Sequence, residues 1–157
     1  MREFNAHGLR FKYPATWTVT DDSGDEKIAV TVQSDGSAFW TVAVFPDGPR
    51  PERVLESAVA AYRDDYPELD VYPVETNAGS RGTVFSRDLE FVCLELIAAA
   101  RIEAYQTGEA TVMVLFQGDD AELESRRPVL DAMTASVAFH SGETPTDWPD
   151  PDDLLPG

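Results

Sequence analysis

Cysteine is almost absent from this 157-residue chain: Cys93 stands alone, which excludes an intramolecular disulfide. It lies in the apolar run Phe91-Val92-Cys93-Leu94, where a small buried side chain is expected; a reactive thiol would need exposure and adjoining positive charge. Positive charge is scarce, with 12 Lys and Arg against 29 Asp and Glu, a net charge of −17. Only Lys12 and Lys27 are lysines. Such a surface repels phosphate backbones and anionic lipid headgroups, so neither nucleic acid nor membrane is an expected partner. No apolar run approaches the ~20 residues needed to span a bilayer, and Met1 to His7 has no long apolar core of a leader. The expectation is a cytoplasmic protein.

Motifs of catalysis are missing too. There is no HExxH, CxxC, Walker A or GxSxG sequence. Two histidines, His7 and His140, sit near opposite ends of the chain and could meet in space, but their spacing carries no ligand pattern. The oxygen-rich segment Asp21-Asp22-Ser23-Gly24-Asp25-Glu26 lacks the alternate acids and distant Glu of an EF-hand loop, so it reads as a hairpin turn. Asp64-Asp65, Asp119-Asp120 and Asp152-Asp153 fall at a helix end, at a helix start and in the tail, where solvated surface is expected. Arg126-Arg127 forms one small basic spot that could hold an anion, with pairing to Glu122 or Glu124 along a helix as the competing role. No catalytic residue, metal or cofactor is expected.

What is present is pattern. Leu9, Phe11, Tyr13, Trp17 and Val19 alternate with mostly polar neighbours, as in a half-buried strand, and Pro14 marks a corner between two extended pieces. Lys27 to Gln33 alternates cleanly. Asp35-Gly36 signals a tight hairpin into Ala38 to Phe45, whose sides are both apolar; a central strand with a helix over each side is expected. Pro51 opens a helix whose stripe is Val54, Leu55, Ala58, Val59 and Tyr62. Leu69 to Val74 reads as a short strand and Asn77 to Gly82 as a loop. Thr83 to Gln106 is a long β-rich run with a change of phase near Val92 to Leu94 that implies a bulge or turn. Ala110 to Gln117 is another two-sided strand. Asp119 and Glu122 fit a capping box for a helix carrying Leu123, Val129, Leu130 and Met133; Pro128 should kink it or divide it in two. Ser136 to Phe139 returns to the core.

Strands interrupted by helices without regular alternation indicate an α+β domain over residues 1–140, with an antiparallel sheet. Residues 141–157 contain no Lys or Arg, several acids and four prolines, the composition of an acidic tail. Its only large apolar side chains are Trp148, Leu154 and Leu155, the candidates for docking into an apolar groove of this domain or of a neighbouring copy.

Two segments carry a family resemblance. Gly8-Leu9-Arg10-Phe11-Lys12-Tyr13-Pro14-Ala15-Thr16-Trp17 resembles the opening of PsbP-like domains, in which an aromatic-Pro-x-x-Trp segment follows the first strand. Leu115-Phe116-Gln117-Gly118-Asp119, leading through a helix to Ala135-Ser136-Val137-Ala138-Phe139, is similar to their close. The resemblance covers about residues 4–140. It implies a PsbP-like α/β/α sandwich: an antiparallel sheet of about six to eight strands with helices on both faces. The family includes the photosystem II extrinsic subunit, a Ran-binding nuclear import factor and bacterial DcrB-like proteins, some of which look after secretion effectors. It implies a non-enzymatic binding or assembly module of unknown protein partner, a monomer or weak homodimer. A pocket between sheet and helix serving a small ligand or a reaction is the alternative, and chaperoning of secretion effectors a third. Partner docking would fall on Trp148, Leu154, Leu155, Arg126 and Arg127.

Overall fold

A computed structural model describes residues 1–140. The first hairpin pairs β1 (Arg2–Ala6) with β2 (Leu9–Tyr13). The sequence pattern had no signal for β1, because only Phe4 of its five residues is large and apolar. At Pro14 the chain turns, with the Trp17 amide donating to the Pro14 carbonyl at 3.0 Å, and it then leaves this sheet for another. Strands β3 (Thr18–Asp21), β4 (Ile28–Gln33) and β5 (Phe39–Phe45) form a meander. Helix α1 (Pro51–Asp65) follows, then the short β6 (Asp70–Val71) and β7 (Glu75–Gly79). Long hairpins run through β8 (Gly82–Cys93), β9 (Leu96–Thr107) and β10 (Ala110–Asp119). Helix α2 (Asp120–Ser136) and β11 (Ala138–Phe139) complete the described chain.

The main sheet is antiparallel and has eight strands, ordered β3-β4-β5-β10-β9-β8, with β6 and β7 both paired to β8 at the far edge. A second sheet, β1-β2-β11, has three strands. The two helices lie on opposite faces of the main sheet. On one face α2 packs between β10 and β2, and Leu130 and Met133 join Phe11, Trp17, Trp40, Val112 and Phe116 in a single apolar cluster. On the other, α1 buries Val54, Leu55, Val59 and Tyr62 against Leu89, Phe91, Ala100 and Ile102. Small residues at 98, 100 and 104 of β9 let α1 approach closely.

Two expectations need correction. Helix α1 lies over β8, β9 and β10, so the second side of β5 is only partly covered: Ala43 is buried and Phe45 touches the α1 cluster, but Phe39, Thr41 and Phe45 stay half-exposed. Asn77 to Gly79, expected in a loop, belong to the strand Glu75–Gly79; its side chains are all exposed, so no alternation marks it in sequence. Of the two outcomes expected at Pro128, a kink or a division, the division does not occur: α2 is one helix with Pro128 inside it.

The ends of α2 explain why it holds its place. Asp119 is the N-cap and accepts from the Glu122 amide at 2.9 Å. The reciprocal half of a capping box is absent. Glu122 instead reaches the β4–β5 turn, where it accepts from the amides of Ser37 at 2.6 Å and Ala38 at 2.8 Å and from the Ser34 hydroxyl at 3.0 Å. A Cβ at Gly36 would come within 2.2 Å of Glu122 Oε1, so a side chain there would have to displace this carboxylate. Desolvation pushes the Glu122 carboxyl up, but these donors outweigh it and hold it below its ordinary value.

Candidate interaction site

On the α2 face of the main sheet, β8 and β9 carry a polar floor in an otherwise apolar layer. Cross-strand register brings Asp88 opposite Arg101, Glu90 opposite Ala99 and Val92 opposite Ile97, all with side chains on one face. Arg101 donates to both Asp88 oxygens at 3.1 and 3.2 Å, to Glu103 at 3.2 Å and to the Ser86 hydroxyl at 3.1 Å. Burial works against its charge, but Asp88 and Glu103 outweigh that and raise the guanidinium's pKa.

Above this floor stands α2. Asp120, Leu123, Glu124 and Arg127 fall at i, i+3, i+4 and i+7, one helical stripe, and line a cleft of about 560 Å³ with Asp88, Glu90 and Arg101. Tyr72 and Glu75 also line it. The Arg127 guanidinium lies 5.2 Å from the Phe116 ring centre, and Phe116 is the cross-strand neighbour of Arg101. Two arginines therefore flank one buried aromatic ring.

The floor continues outward as an apolar lip. Val92 is 63% exposed, Leu94 91%, Leu96 59% and Ile97 53%, clustered at the β8–β9 hairpin tip. The turn has two central residues, Leu94 at φ 53° and Glu95 at φ 67°. Two-residue hairpins need positive φ and normally recruit Asn and Gly for it. Here two side-chain-bearing residues occupy the left-handed region, a cost of about 1 kcal/mol each.

Arg127 thus lies in this cleft, bonded to Asp131 at 3.0 Å, while Arg126 turns away to Asp35 of the β4–β5 turn at 3.1 Å. The expected partners Glu122 and Glu124 are not used, because Glu122 is engaged by the turn and Asp131 lies one helical turn on from Arg127. The basic dipeptide does not act as one spot. Trp148, Leu154 and Leu155 lie outside the described residues. His7 bonds through Nε2 to Asp21 at 2.8 Å, and the His140 amide donates to the Gly8 carbonyl at 2.9 Å. Among the described residues no cluster of three or more His, Cys, Asp or Glu side chains has metal-binding geometry. The segment of Asp21 to Glu26 is the expected β3–β4 turn, closed by bonds from Asp22 to Ala29 and from Gly24 to Lys27. Cys93 is only half-buried, at the root of the hairpin tip, and its sulfur accepts from the Tyr66 hydroxyl at 3.6 Å.

An eight-stranded antiparallel sheet with one helix on each face defines the class as α+β. Within that class the fold is PsbP-like. Cyanobacterial PsbP (CyanoP) from Synechocystis sp. PCC 6803 superposes with a TM-score of 0.65 at 11% identity, covering 88% of this chain and 92% of that one. A Bacteroides thetaiotaomicron protein superposes with a TM-score of 0.57 at 9% identity over 90% of this chain and 49% of its own. A Pseudomonas aeruginosa protein of unknown function, described as a putative regulator, gives 0.51 at 11% identity over 89% and 97%. The sequence itself matches no known family profile and no curated protein. No helix among the described residues is long and apolar enough to cross a membrane.

Proposed function

We infer that this protein is a non-catalytic accessory module that binds another protein through the β8–β9 hairpin tip and the cleft behind it. The observation that carries this reading is the tip itself. Four large apolar side chains, Val92, Leu94, Leu96 and Ile97, are held in water on a turn of two non-glycine residues with positive φ. Exposed apolar surface and backbone strain both cost stability, and surfaces of this kind are retained where a partner covers them. The cleft adds polar selectivity. Its arginines are already matched by Asp88, Glu103 and Asp131, leaving Glu75, Glu90, Asp120 and Glu124 to favour basic groups on the partner.

The fold likeness supports an accessory role only as analogy, since one architecture serves many functions. A second reading, binding of a small polar ligand, has one specific support: a cleft of about 560 Å³ lies within the range of ligand sites.

The test compares wild type with a Leu94→Asp, Ile97→Asp double variant by cross-linking and mass spectrometry in lysate of the source cell. The reading expects a partner captured by wild type and lost from the variant, with unchanged thermal unfolding. Identical captures from both proteins would overturn it. The small-ligand reading expects instead that Arg101→Gln abolishes a ligand-induced rise in melting temperature that the tip variant keeps.

A further inference from the structure

A second concavity lies on the opposite face, between α1 and the part of the sheet that no helix covers. Phe45, Val54, Ala58 and Met113 form its apolar floor, and its volume is about 390 Å³. The charged groups lining it are Lys27 and Arg53, both cations, on a chain where acids outnumber cations 29 to 12. Lys27 lies 5.9 Å from the Phe45 ring centre, and neither cation makes an ion pair among the described residues. An acidic protein has here an apolar groove with a basic rim.

The chain itself supplies a segment with matching chemistry. Residues 141–157 follow His140, which lines a small cleft beside Pro46, the residue after Phe45. The described chain therefore ends near the β5 terminus that borders the groove. Trp148 is eight residues beyond His140, a reach of up to about 26 Å for extended chain. The groove runs along Arg53 to Ala58 of α1, about 8 Å of helix. In sequence, Trp148 is bracketed by Asp147 and Asp150, opposite in charge to Lys27 and Arg53 that line the groove. Pro145, Pro149 and Pro151 favour an extended path with less entropy to lose on docking.

We propose that residues 141–157 dock into this groove of their own domain, with the Trp148 indole over Phe45, Val54 and Met113 and with Asp147 and Asp150 opposite Lys27 and Arg53. Tryptophan suits such a site because it buries a large rigid surface at the cost of two torsions. The occupied groove would cover Phe45 at the end of the half-exposed β5 side with the chain's own tail, leaving the β8–β9 hairpin tip free.

The test uses the full chain and its tryptophan fluorescence. Trp17 and Trp40 are buried, so the difference between wild type and Trp148→Phe isolates Trp148. Docking expects a blue-shifted difference spectrum and acrylamide quenching several-fold weaker than for free indole. A Lys27→Glu, Arg53→Glu variant, shown to be folded by circular dichroism, should restore free quenching. A difference spectrum of water-exposed indole in wild type overturns the proposal. Shielding that survives the charge reversal places Trp148 elsewhere and overturns the groove. Shielding that disappears on dilution assigns the tail to a second copy and overturns docking within one chain.

Discussion

The Arg81 guanidinium donates to the Thr134 carbonyl oxygen at 2.9 Å, and with its other terminal nitrogen to the carbonyls of Ala135 at 2.6 Å and Val137 at 2.9 Å. Helix α2 has no basic residue in its last turn. A cation from the β7–β8 turn, 5.3 Å from the Tyr105 ring centre, thus bonds the carbonyls at the helix end, of which that of Thr134 also accepts from the Val137 amide, and complements the dipole. Arg81→Ala is expected to lower unfolding free energy by about 1–3 kcal/mol, the range for hydrogen bonds to a charged donor. Arg81→Lys should recover less than half of the loss, because an ammonium lacks the planar fork that spans three acceptors. Urea titration of the three proteins checks both numbers.

Trp17 is 8% exposed and sits in the same cluster as Leu130 and Met133 of α2. Trp17→Ala is expected to cost about 3–5 kcal/mol, as large aromatic truncations in cores do. The measurement is the denaturation midpoint at unchanged slope; a midpoint equal to wild type would place Trp17 outside the core.

Asp21 offers a pH signature. Hydrogen bonds from the Ser23 hydroxyl, then from the His7 ring, then from the Ser23 amide hold its carboxyl down to about 2, from an ordinary 3.8. A carboxyl depressed in the folded state contributes stability that is full above its unfolded pKa and is lost as pH falls through its folded one. The advantage of wild type over Asp21→Asn should therefore be constant above pH 3.8 and vanish as pH approaches about 2. Because the pair is exposed, the difference will be small and will shrink further in salt.

The β8–β9 turn gives the prediction tied to function. Leu94→Asn with Glu95→Gly supplies the residues that positive φ favours and should raise stability by about 1–2 kcal/mol. The same change removes the most exposed leucine and should weaken partner capture. A variant that is more stable yet binds less would show that the tip trades stability for recognition.

Period and turn chemistry made much of this fold legible in the sequence. The corner at Pro14, the Asp35-Gly36 hairpin, the Pro51 helix and the Asp119 N-cap are each set by local backbone preference, which needs no tertiary partner. The rest depends on what packs where. Strand β7 has no buried face, so nothing in Glu75 to Gly79 announces pairing. The open side of β5 looks like core in sequence because Phe39 and Phe45 do not reveal how far α1 reaches. The site was legible in fragments. A phase change at Val92 to Leu94 marked the turn, but nothing in it showed that Leu94 and Leu96 are exposed. Arg127 stood out as part of a basic pair. Arg101 did not, although a charge amid Ala98-Ala99-Ala100 and Ile102 is the signal that a strand face has turned polar.

Strand β11 pairs with β2 through Ala138 opposite Arg10 and Phe139 opposite Leu9, and the Lys12 amide donates to Ser136 Oγ at 2.8 Å. The N-terminal hairpin therefore finds its last neighbour only after nearly all of the described chain has left the ribosome. Until then Leu9 and Phe11, both fully buried in the finished protein, wait without their cover. Folding is obliged to close this long circuit late. A chain cut before Ala138 would leave the β2 edge open to strand exchange with another nascent molecule, which makes the final few described residues the latch of the domain.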